Sequence, residues 1–178
     1  MKRILSVLAA AALLVSMAGC RQVKDMTTDY KKLVRDTLAR EYSFDAEMSY
    51  SGTTAVGHIQ KTGETDIRVE FSAPAAFQGL VVSTKGEEIQ AEYLGMELDL
   101  SVFEIPTQSV LTLLREVLAA PQPDNITVEV GEDTVTASGS IIIASYEIVF
   151  DKETMAIRSI SVPSADAQLI VSNFVFDD

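Results

Sequence analysis

The sequence predicts an α+β domain: a single curved antiparallel β-sheet, a half-barrel, with an N-terminal helix and an inserted helix covering its concave face. Three observations lead there. Short stretches of apolar–polar alternation recur along most of the 178 residues, the signature of strands with one face buried. Turn segments rich in Gly, Ser, Asp and Glu separate them closely, as in hairpins rather than long crossovers. Only two stretches carry a helical period, and they do not alternate with strands one for one as a parallel α/β sheet requires.

Taken in order, Thr28 can cap a helix from Asp29 to about Glu41, with Asp29 at the positive end of the helix dipole. Tyr30, Leu33, Val34, Thr37, Leu38 and Tyr42 recur at three- and four-residue steps and form one apolar face. Phe44, Ala46, Met48 and Tyr50 then alternate with Asp45, Glu47 and Ser49. A turn at Ser51-Gly52 precedes a strand through Val56 to Gln60, and Lys61-Thr62-Gly63-Glu64 reads as the next hairpin turn. Ile67, Val69 and Phe71 resume the alternation until Pro74, which ends the strand or leaves it at an edge. Strands follow near Gly79–Ser83, Glu88–Tyr93 and Met96–Leu100, with turns at Lys85-Gly86 and Leu94-Gly95. After Pro106 comes a helix capped by Thr107, apolar on more than one side and ended by Pro121 and Pro123. Five further strands are expected near Ile126–Val130, Thr134–Ser140, Ile142–Phe150, Ala156–Val162 and Ala167–Phe176.

Residues 1–19 precede this domain and read as an export signal. Lys2 and Arg3 are followed by the apolar run Ile4 to Val15, interrupted only by Ser6, and then by the small residues Ala18 and Gly19. The run is shorter than the ~20 residues a membrane-spanning helix needs. Met17-Ala18-Gly19-Cys20 resembles the bacterial lipobox, whose cysteine is lipidated and becomes the new N-terminus after cleavage. The resemblance implies a membrane anchor through diacylglyceryl-Cys20, residues 20–28 as a lipidated tether, and a domain over 29–178 outside the bilayer. Cys20 is the only cysteine, so no disulfide and no thiolate chemistry are expected. Without residues 1–19 the chain has 159 residues, with 26 acids against 12 bases. Such an acidic domain repels phosphate backbones, which excludes nucleic acid as a partner.

The order of parts resembles the LolA/LolB/LppX-like unclosed-barrel family, which includes envelope lipid- and lipoprotein-handling proteins and germination-related lipoproteins. Two stretches carry the likeness: Ile67-Arg68-Val69-Glu70-Phe71-Ser72-Ala73-Pro74 with Gly79-Leu80-Val81-Val82, and Ile148 to Thr154 with Leu169 to Phe174. The resemblance implies an apolar cavity between sheet and helices. Its candidate lining is Met48, Tyr50, Val69, Phe71, Leu80, Val82, Met96, Leu98, Leu100, Leu113 and Leu114, all of which could equally be ordinary core. Arg68, on the resembled strand, could contact a ligand headgroup or a partner carboxylate, or form a surface ion pair with Glu70 or Asp66.

Catalytic chemistry finds little to stand on. His58 is the one histidine, too few for a zinc site, which draws on several His or Cys ligands. No serine lies in a nucleophile-elbow pattern, and no Gly-rich loop could cradle a phosphate. The acid pairs Glu87-Glu88, Glu132-Asp133 and Asp177-Asp178 fall at turns or the terminus, without EF-hand spacing. No metal, cofactor or enzymatic activity is implied. Two functions are left: binding of a lipid or acyl chain in the half-barrel, or a scaffold or regulator role on another envelope protein such as a cell-wall hydrolase.

Overall fold

A computed structural model describes residues 22–86, 88–99, 106–119, 125–141 and 144–177, without the side chains of 22–29 and 106–110. The elements in chain order are α1 (Gln22–Ala39), β1 (Tyr42–Tyr50), β2 (Thr53–Thr62), β3 (Asp66–Ala73), β4 (Leu80–Lys85), β5 (Glu88–Tyr93) and β6 (Met96–Leu98). Then follow α2 (Pro106–Leu118), β7 (Ile126–Val130), β8 (Thr134–Ser140), β9 (Ser145–Asp151), β10 (Ile157–Val162) and β11 (Ala167–Phe176). Eleven strands form one sheet in the order β6-β5-β4-β3-β2-β1-β11-β10-β9-β8-β7, and every pairing is antiparallel. The sheet does not close: β6 and β7 are its two edges. The fold is therefore the α+β open half-barrel that the alternation and the two helical stretches predict.

Strict alternation gives the sheet its two faces. Tyr42, Phe44, Ala46 and Met48 of β1 are buried, as are Ile67, Val69 and Phe71 of β3, and Tyr146, Ile148 and Phe150 of β9. Together with Val34 and Leu38 of α1, and Leu111, Leu113, Leu114, Val117 and Leu118 of α2, they form one continuous apolar core. α1 lies against β7 and β8, and α2 against β3. The two helices thus cover the apolar face of opposite wings of the sheet. Burying a side chain such as Leu38 contributes about 1.5–3 kcal/mol.

Helix α1 begins at Gln22 rather than at Asp29. Thr28 is inside the helix, and part of the segment expected to be a tether is helical. Val23 and Met26 stand at three- and four-residue steps before Tyr30, so the apolar period reaches back past the capping signal and outweighs it. Leu33, counted on the apolar face, is 43% exposed; the buried positions are Val34, Thr37 and Leu38. Tyr42 belongs to β1, not to the helix. Strand β2 runs to Thr62, so Lys61 is not part of a turn. It follows Ile59 at the period-two step, points inward and is fully buried.

The centre of the sheet is the seam between its first and last strands. β1 and β11 pair from Tyr42↔Phe176 to Tyr50↔Ala167. Their register shifts between Ser43 and Asp45, and on β11 Asn173 adopts φ 51° in this stretch. The bulge returns Phe174 and Phe176 to the inner face after Leu169 and Val171. There Phe174 stacks with Phe44 at 6.1 Å and lies 5.2 Å from Tyr42.

Candidate functional site

The inner face of the sheet is the surface that holds most of the residues singled out as a cavity lining. Met48, Val69, Phe71, Leu80, Val82, Leu113 and Leu114 are all buried there. They come from β1, β3, β4 and, across the space, α2. Tyr50 and Leu98 are half-buried and pack against the same cluster. Met96 lies at the outer end of the sheet and is 63% exposed. Leu100 lies outside the described residues, as does Cys20.

Two polar groups enter this apolar interior at the end of the sheet where β1 begins, and neither was singled out from the sequence as a site residue. Tyr42 and Lys61 are cross-strand partners, and both are fully buried. The Lys61 ammonium donates to the carbonyls of Gly63 at 2.6 Å and Arg40 at 3.3 Å. It also lies 5.5 Å from the Tyr42 ring centroid. Burial holds its pKa below the ordinary lysine value, opposed by the carboxylates of Glu41 and Glu64. Burial pushes the Tyr42 hydroxyl strongly upward, so it is protonated at any physiological pH. Among the described residues, Tyr42 Oη is the one buried side-chain atom without a hydrogen-bond partner. Buried hydroxyls are normally paired, so this donor marks where the interior could accept a polar group. The only hint in the sequence was the inward parity of Lys61 after Ile59.

The outer face carries the charged side chains. Arg68 is exposed and pairs with Glu70 at 3.4 Å, one of the two arrangements expected of it. His58 sits opposite Asp45, and its Nδ1 is 2.8 Å from Asp45 Oδ1. Asn173 Nδ2 donates to the other carboxylate oxygen at 2.8 Å. These bonds, that of Asn173 first, hold the Asp45 pKa below the ordinary range. The trio lies on an open strand surface, with no nucleophile placed against the imidazole by any described hydrogen bond.

A surface pocket of about 580 Å³ opens between Tyr30 of α1, the turn after β7 and the turn after β9, with Glu132, Asp133, Asp151, Lys152, Glu153 and Arg158 around it. Its polar groups already bind one another. Lys152 Nζ donates to the carbonyls of Gly131 and Glu132, and the Arg158 guanidinium donates to Asp151 Oδ2. Asp151 Oδ1 accepts from the Thr154 amide and hydroxyl. The carboxyl of Asp151 is held far below its usual range, chiefly by the Thr154 amide and then by Arg158. This is a turn-locking network. No group of three or more potential metal ligands occurs among the described residues.

No family model and no curated protein matches the chain. Solved structures do match in shape. An uncharacterised conserved protein from Thermus thermophilus superposes with a TM-score of 0.52 at 14% identity, over 87% of this chain and 88% of that one. A LolA superfamily protein from Nitrosomonas europaea gives 0.43 at 10% identity, over 85% and 94% of the two chains. A DUF1329 family protein from Desulfovibrio piger gives 0.41 at 11%, over 86% and 92%. The Thermus protein shares the fold of this chain.

Proposed function

We propose that the chain is a non-enzymatic extracytoplasmic lipoprotein that binds an apolar ligand, a lipid or acyl chain, against the inner face of its half-barrel. After removal of residues 1–19, a diacylglyceryl group on Cys20 holds it at a bacterial membrane. The observation that carries the ligand reading is the make-up of the inner face: a helix-covered wall of buried apolar side chains that also contains the unpartnered Tyr42 hydroxyl. Apolar sites with a few placed polar groups are the usual form of small-molecule pockets, and the sequence resemblance to the LolA/LolB/LppX-like family points the same way. The alternative, docking of another envelope protein on the outer face, has less support. The exposed Val56 and Ile170 are separated by Glu47, which pairs with both.

Native mass spectrometry of the purified chain, with solvent extraction, tests the ligand reading. A co-purifying apolar mass that is lost in Leu98→Glu, with the circular dichroism of the fold intact, is the expected result. A clean ligand-free mass that does not change on adding lipid extract refutes it. Lipidation is checked on the same material, as a mass addition that disappears in Cys20→Ala.

A further inference from the structure

A buried ammonium ordinarily has an anion beside it, because an uncompensated charge in an apolar interior is costly. Lys61 is fully buried, yet among the described residues no carboxylate forms an ion pair with it. Of the three N–H bonds of the ammonium, two go to the carbonyls of Gly63 and Arg40. Among the described residues no acceptor takes the third. Glu41 and Glu64 act on the charge from a distance, and both are exposed. Glu41 Oε1 is itself taken by the Gly63 amide at 2.9 Å. Across the strand pair stands Tyr42, whose fully buried hydroxyl is also without a partner. The inner face therefore carries two neighbouring donors, one of them charged, with no acceptor to match them among the described residues.

The wall that leads away from this pair is apolar and becomes low. Phe44 and Phe174 flank the Tyr42 ring. Four residues along β1, a distance of about 13 Å, Ala46 faces Gly57, so the two paired strands present almost no side chain there. The space over Gly57 is occupied by the Met48 methyl, 3.3 Å from where a Cβ would lie, and methionine is a side chain that adapts readily to a new neighbour.

We infer that the ligand of the inner face is a long-chain carboxylic acid, whose carboxylate accepts from Tyr42 Oη and Lys61 Nζ while its chain runs along β1 toward Ala46 and Gly57. The inference rests on the ligand reading of the inner face and narrows it to one chemical class. Only donors are left over at this end of the sheet, and that selects the head group. An alcohol or an amide would bring a further N–H or O–H with nothing to accept it. An ester carbonyl accepts but leaves the ammonium without an anion. A phosphate supplies charge but has more oxygens than two donors can satisfy. A carboxylate has one oxygen for each donor and compensates the buried charge.

The purified full chain is titrated with oleate carrying carbon-13 at its carboxyl, and with methyl oleate, which has the same chain and no charge. Oleate should bind about tenfold or more tightly than the ester, since hydrogen bonds to a charged group are the strong ones, and its carboxyl resonance should move from the free position. Tyr42→Phe removes one oxygen and Lys61→Met one charge. Each should lower oleate affinity about tenfold and leave methyl oleate where it was. Equal affinity for acid and ester overturns the inference, as does a preference that survives both substitutions. Loss of acid and ester alike in Tyr42→Phe, with its circular dichroism intact, overturns it too. A lipid that co-purifies in native mass spectrometry with a chain that takes up no oleate also overturns it and leaves the ligand reading standing. Failure of that reading shows differently, as no uptake of any apolar mass.

Discussion

Gly139→Ala is a one-carbon change whose effect follows from a single contact. Gly139 of β8 pairs with Tyr146 of β9, and the Tyr146 ring lies over it. A Cβ at Gly139 would sit 2.5 Å from Tyr146 Oη, 2.6 Å from Cζ and 2.9 Å from Cε1. Carbon atoms do not approach so closely, so the ring must swing. Tyr146 is 5% exposed and fixed in the core, and overpacking of this kind costs about 1–3 kcal/mol. Replacing glycine also restricts the unfolded chain, which returns about 0.4–1 kcal/mol. The net loss is up to about 2.5 kcal/mol, or a fall in Tm of up to roughly 10 °C for a chain of this size. Urea titration followed by far-ultraviolet circular dichroism measures it. In a Tyr146→Leu background the ring is gone, and the same substitution should become neutral or slightly stabilising, a coupling of about 1 kcal/mol or more. Equal cost in both backgrounds would refute the contact as the cause.

Tyr42→Phe removes a buried hydroxyl that has no partner, so the ligand-free chain should gain up to about 1 kcal/mol; a loss of stability in urea would show that the hydroxyl is bonded. Leu38→Ala empties a fully buried position under α1 and should cost about 2–5 kcal/mol in the same titration. Asp45 has a folded pKa below its ordinary 3.8, so the unfolded chain binds more protons in that window. Its contribution is complete above the ordinary value and is lost as pH falls through the lowered one; with the carboxylate 44% exposed it amounts to under about 1 kcal/mol. Asn173→Ala should move the Asp45 titration upward in carboxyl NMR, and an unmoved curve counts against Asn173 as the main cause. Lys61 has a slope of the same sign but as a penalty relieved: its folded value lies below 10.5, so stability rises with pH between the folded and ordinary values as the buried ammonium is neutralised, and Lys61→Met should flatten that alkaline rise.

Much of this was legible in the amino-acid order. Period-two alternation placed Met48, Val69, Phe71 and Val82 on one face, and burial follows from it directly. The strands from Ile126 and Thr134 begin where turn residues put them, and the second helix includes Pro106 itself, so Thr107, read as its cap, lies inside it. What escaped had a physical reason in each case. Thr28 looks like a cap, but a cap contributes only about 1 kcal/mol and an apolar stripe running back to Val23 outweighs it. Lys61 looks like a turn residue because lysine is seldom buried; here two carbonyls at the ends of neighbouring elements bind its ammonium. The Asp45–His58–Asn173 contact depends on β1 meeting β11 across a bulge, and no local pattern announces a pairing 128 residues distant.

That seam has a further consequence. Each wing of the sheet is built from neighbours in sequence, β1 to β6 on one side and β7 to β10 on the other, and within the sheet only β11 reaching β1 joins them. The Asp177 amide donates to the Glu41 carbonyl at 3.1 Å, so the first strand begins beside the point where the last one ends. As the chain emerges in order, both wings can form local hairpins while their shared boundary stays unmade until the final strand arrives. Losing that last strand does not trim the margin of the sheet. It would divide the sheet down its middle and bare two long edges, each a template for another chain.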